Sequence, residues 1–427
     1  MRYLLFLVFA FSTTVLQAQN PAPAKVQKVA VIIKNATIHT ATGNVITKGT
    51  IVFEKGKITY VGTEDKTIAD AKVIDATGKH VYPGFIAPNN YLGLNEIEEV
   101  RSTLDYTEVG DINPNVRSLI AYNTDSKIIP TIRVNGVLLS QCTPQGGIVS
   151  GSSSIVQLDA WNWEDAAYKI DDGIHFNYPN FAPPTGSTDA VKQALENEKK
   201  HFQLIEKLMQ DAYAYSLETT HAVQNGKLES MRGVFDKSKI IYVHVDYVKG
   251  IIHAVNFFKK YNVKMVLVGA ADCYQVTQLL HDNNIAVILN NTHRLPSRGQ
   301  EAVDMPYKTA AILQQAGVKY CLATTGGWQI RNLPFMAGTT AGYGISKEQA
   351  LESITKNTAE ILGIDKTTGT LEVGKDATLF ISNGDALDMQ GNILTYAFIQ
   401  GREISLDNSQ KQLNKKYAEK YEVKIEN

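Results

Sequence analysis

The sequence predicts an α/β protein: a (β/α)8 TIM-type barrel inserted into a small β-sandwich that both chain ends build together. Three observations predict it. Short β-runs without an intervening helix fill residues 29–74, strands and amphipathic helices alternate over residues 240–362, and β character returns over residues 365–406. Strand-rich ends around an alternating centre are most economically one composite domain, residues 29–80 and 365–407, holding a barrel at residues 81–364.

Residues 1–18 precede this plan. Arg2 supplies a positive start, residues 3–15 are almost wholly apolar, and Leu16-Gln17-Ala18 offers a small residue at a cleavage point. This pattern predicts a secretory signal peptide and an exported protein, periplasmic or secreted. The run is shorter than the roughly 20 residues that span a bilayer, and no later segment is apolar enough. Residues 19–28 are rich in Pro, Ala and Gln and read as a mobile leader. Runs at 29–33, 36–39, 50–53 and 58–61 follow, the last two separated by the Lys55-Gly56-Lys57 turn of a hairpin.

An apolar strand at 81–86 opens the barrel. Residues 136–143 and 154–158 read as strands and 189–214 as a helix, while the positions of barrel strands two to four stay open. Pro- and Gly-rich loops at 146–151 and 178–186 are expected over the active-site face. From residue 240 the strands are continuous apolar runs, as in a parallel sheet buried on both faces. Ser346 with Gln349 forms a capping box for the last barrel helix, which stops at Gly363. Residues 408–427 form a charged tail.

Composition excludes some classes. With 42 basic and 43 acidic residues, the formal charge of −1 gives no electrostatic case for nucleic acid or an anionic membrane. Cys142, Cys273 and Cys321 are odd in number and far apart, so no disulfide framework is expected and buried thiols are.

Four motifs carry a family resemblance. Ile74-Asp75-Ala76-Thr77-Gly78-Lys79, Val81-Tyr82-Pro83-Gly84-Phe85-Ile86, Arg331-Asn332-Leu333-Pro334-Phe335 and Gly369-Thr370-Leu371-Glu372-Val373-Gly374-Lys375-Asp376-Ala377 resemble the amidohydrolase superfamily, its imidazolonepropionase-like branch above all. The resemblance implies one or two divalent metals, such as zinc, at the C-terminal ends of the barrel strands. Metal-bound hydroxide would attack a C–N bond, with an Asp at the end of strand eight moving the proton. It places the first ligands in an H-x-H after the Pro-Gly-Phe-Ile run. Here Asn89 and Tyr91 fall on those histidines, Ala87 on the Asp before them, and Thr325 on the strand-eight Asp. The strand-six position reads Val268-Gly269-Ala270, so His244 on strand five is the only retained ligand position. Asn, Tyr and Thr are weak ligands beside imidazole, and no resident metal is expected at the usual place.

None of the nine histidines forms H-x-H or H-E-x-x-H, and six of them read as surface or element-end residues. His244 and His293 stand at the predicted barrel mouth as candidate catalytic or ligand-contacting residues, with a structural role equally open. Asp171-Asp172-Gly173-Ile174-His175 reads as an acidic loop, either solvated or metal-binding. Gln145-Gly146-Gly147 with the serines at 150 and 152–154 could offer N–H groups to an anion but lacks a P-loop pattern. Trp161 and Trp163 read as pocket or packing residues. Two functions remain: a non-catalytic homologue binding a small amide-like ligand or a partner at Asn89, Tyr91 and Thr325, or an active hydrolase of non-peptide C–N bonds with ligands such as Asp171, Asp172 or His175 beside His244. The partners compatible with either are a small molecule, a hydrolase subunit, or a second copy of the chain.

Overall fold

β-branched runs from both chain ends meet in one sheet. The computed structural model describes residues 22–296 and 298–424; the expected signal segment lies outside them. In chain order the first strands are β1 (Val31–His39), β2 (Val45–Glu54), β3 (Lys57–Gly62), β4 (Lys72–Asp75) and β5 (His80–Pro83). The barrel strands follow: β6 (Phe85–Asn90), β7 (Val137–Cys142), β8 (Val149–Gln157), β9 (Ala167–Asn177), β10 (Ile240–Val245), β11 (Met265–Gly269), β12 (Ala286–Asn290) and β13 (Tyr320–Ala323). β14 (Leu379–Ser382), β15 (Leu394–Ile399) and β16 (Arg402–Glu403) return to the first sheet.

That sheet runs β16-β15-β14-β5-β1-β2-β3, with β4 also on β1. The β2–β3 turn is the two-residue Lys55-Gly56, both at positive φ (51° and 80°), the geometry whose twist matches a hairpin. Phe53 of β2 meets Phe398 of β15 edge-on at 5.0 Å although three strands separate them in the sheet, so the sheet curls onto itself. It encloses a core of its own that includes Ile33, Ile38, Ile51, Leu379 and Ile381. Residues 22–28, read from sequence as a mobile leader, are strapped to this domain and to the barrel. Gln27 donates to the carbonyls of Val29 and Phe53 and accepts from Gly56 N–H, while Ala24 N–H donates to Asp159.

The second sheet holds β6 to β13 in chain order. Ile86, Leu139, Ile155, Tyr242, Val268, Ile288 and Cys321 share its interior cluster, which Ala359 and Ile361 of the helix Lys356–Leu362 extend at the strands' N-terminal end. The sheet is nearly closed. Between β13 and β6, main-chain carbonyls of a connecting segment fill the gap: Leu322 N–H donates to Ser353 and Ile86 N–H to Ile354. One strand is inverted, because β8 pairs antiparallel with both β7 and β9. The connections force this. Six residues join β7 to β8 and nine join β8 to β9, whereas a parallel crossover takes about a dozen or more.

The sequence-predicted capping box at Ser346 and Gln349 is formed, but the single helix expected to run on to Gly363 is two: Lys347–Glu352 under the capping box, and Lys356–Leu362, which Gly363 ends at φ 68°. The helix Thr188–Ser216 buries Ile205, Leu208, Met209 and Ala212 near its C-terminal half. The three cysteines are buried free thiols, and burial pushes Cys142 and Cys273 up to about 12. The tail carries an exposed helix, Ser409–Tyr421. Among the described residues no helix is long and apolar enough to cross a membrane.

Candidate functional site

The C-terminal ends of β6, β10, β11 and β12 converge with the top of β7 and the residues after β13. Asn89, next to last in β6, lies in the left-handed region (φ 48°), a conformation Asn tolerates better than most residues. Its N–H donates to Gln141 Oε1 (3.0 Å) and its Nδ2 to Asn290 Oδ1 (3.4 Å), while its own Oδ1 is buried without a partner. After β13, Thr325 forms a two-way link with Asn291: Thr325 N–H donates to Oδ1 (3.0 Å), and Nδ2 donates to the threonine Oγ1 (2.6 Å). Tyr91 is drawn aside and stacks on Tyr106 with centroids 5.0 Å apart. Burial, with Glu98 and Tyr106 nearby, raises its phenol pKa.

His244 and His175 meet inside the barrel. The acidic segment read as a loop is part of β9, because β9 continues the meander from β8, and the β9–β10 register sets His175 opposite Tyr242. Side chains two residues apart on a strand share a face, so Tyr242 and His244 both point inward. His175 stacks on Tyr242 with centroids 4.6 Å apart, and its Nδ1 lies 2.9 Å from His244 Nε2. Two facing nitrogens at that distance share one hydrogen. Burial holds His244 down at about 4, and burial followed by the neighbouring imidazole holds His175 well below the usual range, so the pair is neutral near pH 7. His175 Nε2 is buried without a partner. A bare nitrogen there is less costly than an orphaned N–H, which places its hydrogen on Nδ1. His244 then accepts at Nε2 and carries its own hydrogen on Nδ1, which has no partner among the described residues.

Asp172 lies beneath this pair, fully buried. It accepts from Tyr242 OH (2.6 Å), Ser153 Oγ (2.7 Å) and Gln141 Nε2 (3.0 Å), and burial raises its pKa despite those donors. Asp171 points elsewhere, with Arg117 Nε on both its oxygens (3.0 and 2.7 Å). His293 is held by Thr339 Oγ1 at 2.6 Å and is not brought to His244. The Gly146–Gly147 carbonyls are taken by Asn177 Nδ2, so that loop is closed by a side chain of β9. Trp161 is exposed, and Trp163 packs half-buried against the core. Among the described residues, no three His, Cys, Asp or Glu side chains form a metal-binding group.

A cavity of about 290 Å³ opens over β10 to β13, lined among others by Asp246, Gly269, Asn290, Asn291, Arg298 and Thr325. Gln141, Ser153 and Asp246 carry no metal-ligand motif, whereas Asp172 is a sequence candidate. The one available signal is the two-residue spacing of Tyr242 and Asp246 from His244.

The amidohydrolase family profile matches residues 167–406, more than half of the chain. The chain belongs to the amidohydrolase family. An amidohydrolase from Thermotoga maritima shares its fold, with a TM-score of 0.78 at 22% identity over 88% of this chain and 99% of that one. Amidohydrolase tasK from Hapsidospora irregularis is 27% identical over 117 residues, which are 25% of this chain and 12% of the fungal protein. The 5'-deoxyadenosine deaminase of Methanosarcina mazei is 42% identical over 66 residues, 15% of each chain. The chain thus spans well under a fifth of the length of the curated relatives it matches.

Proposed function

We propose that this amidohydrolase-family protein is exported, does not run metal-hydroxide chemistry at the family's usual place, and binds a small uncharged amide group at the barrel mouth. The observation that carries the reading is the neutral His175–His244 pair inside the barrel, whose facing nitrogens are bonded to each other. A tight zinc site takes three or four ligands, with imidazole nitrogens about 2.0–2.1 Å from the metal. Here the two imidazoles spend their facing nitrogens on each other, Gly269 offers no side chain, and Thr325 is engaged by Asn291. That donor set does not fit a tightly held divalent ion. It does suit a carboxamide: His244 Nδ1 is a donor for a carbonyl, and Asn290, which lines the cavity, brings an amide of its own to the site.

The test joins metal content by elemental mass spectrometry with calorimetric titration of simple amides into the mature, untagged protein. Binding of an amide to a metal-free, monodisperse sample, lost in His244→Ala, supports the reading. Tightly held zinc, with chelator-sensitive turnover of an amide panel, replaces it with the second reading, an active hydrolase of non-peptide C–N bonds.

A further inference from the structure

Three charged side chains line the mouth cavity: Asp246, Arg294 and Arg298. Both arginines are compensated. Arg294 pairs with Glu301 (2.7 Å), and Arg298 clasps Asp272 with two hydrogen bonds while lying over the Tyr247 ring. Asp246 has no ion pair among the described residues. Its Oδ1 accepts one long bond, from Ala271 N–H at 3.4 Å. The main chain nevertheless holds it firmly: its N–H donates to Asn180 Oδ1 (2.7 Å), and its carbonyl accepts from Asp272 N–H (2.9 Å). Gly269 makes room for the carboxylate, since a Cβ there would stand 2.6 Å from Asp246 Oδ1. The space over β11 that a side chain at 269 would occupy therefore holds the carboxylate, the one charged group of the cavity lining without an ion pair among the described residues.

We infer that Asp246 is a specificity-determining residue and selects a ligand carrying one positive charge, a primary ammonium, beside its amide. The inference rests on the amide-binding reading above. A carboxylate at a cavity wall loses part of its hydration when the cavity fills, and an ammonium within hydrogen-bond reach restores it.

The experiment compares two probes on the mature full chain with chelator present: propanamide, and 3-aminopropanamide, which adds an ammonium. Titration is followed by calorimetry and by ring signals of labelled histidine. The expected result is a preference of about fivefold for 3-aminopropanamide, shrinking with added salt. Asp246→Asn, which keeps an oxygen for Ala271 N–H, abolishes the difference between the probes, and Asp246→Glu retains part of it. Equal binding of the two probes, or a preference that survives in Asp246→Asn, overturns the inference and leaves amide binding standing. Failure of both probes to bind overturns the amide reading and the inference together.

Discussion

Acidification tests the neutral imidazole pair directly. Burial holds His244 at about 4 in the folded chain, against 6.5 for the exposed side chain. Its folded-state pKa is thus depressed, so the associated stability is fully present above pH 6.5. It is lost as pH falls, because the unfolded chain takes up a proton that the folded chain refuses until about pH 4. Between about pH 7.5 and about pH 5, His244 alone costs roughly 2 kcal/mol of stability, and His175, shifted the same way, adds to it. His244→Gln is the control: its amide oxygen can still accept from His175 Nδ1, and it does not titrate. Urea unfolding read by tryptophan fluorescence, at several values across that range with chelator present, compares the two proteins. The wild type should lose about 2 kcal/mol more than the variant over the interval. Equal losses would refute the argument, because they would mean that His244 is protonated as readily inside the barrel as outside it.

Asp159 lies between the buried Arg133 (2.8 Å) and the part-buried Arg402 (3.0 Å), so Asp159→Ala leaves two guanidinium groups without their carboxylate and should cost about 3 kcal/mol in chemical denaturation. Gln141 bridges Asp172 and the Asn89 N–H, so Gln141→Leu should lower stability by about 2–3 kcal/mol and weaken amide binding, both readable on one sample by unfolding and titration. A Cβ at Gly338 would collide with the Leu387 carbonyl oxygen, so Gly338→Ala should lower the melting temperature by several degrees, while the same change at the open Gly226 should be nearly silent.

Most of the architecture was legible because it is written in local periodicity. Apolar runs such as 240–245 and 264–268, separated by amphipathic helices, admit few arrangements, and the strand-rich ends needed a shared partner sheet. The inversion of β8 was also present as a signal, in connections too short for a parallel crossover. It was missed because residues 146–151 read as a Gly-Ser loop when part of that stretch is strand. Reading β9 as an acidic loop had the same origin: two adjacent aspartates look solvated, and only the donors from Tyr242, Ser153 and Gln141 make a buried Asp172 tolerable.

The sequence by itself determined the family and the composite fold plan, and it carries Asn89, Tyr91 and Thr325 where the family resemblance implies two histidines and an aspartate, since these depend on residue identity at positions fixed by motif. Only the tertiary structure decided what those positions do. It turned Tyr91 onto Tyr106, tied Thr325 to Asn291, set His175 against His244, and left Asp246 as the unpaired charge of the mouth cavity. Each of these joins residues from different elements. Burial, shared hydrogens and charge compensation are properties of neighbours in space, and the linear order of the chain does not carry them.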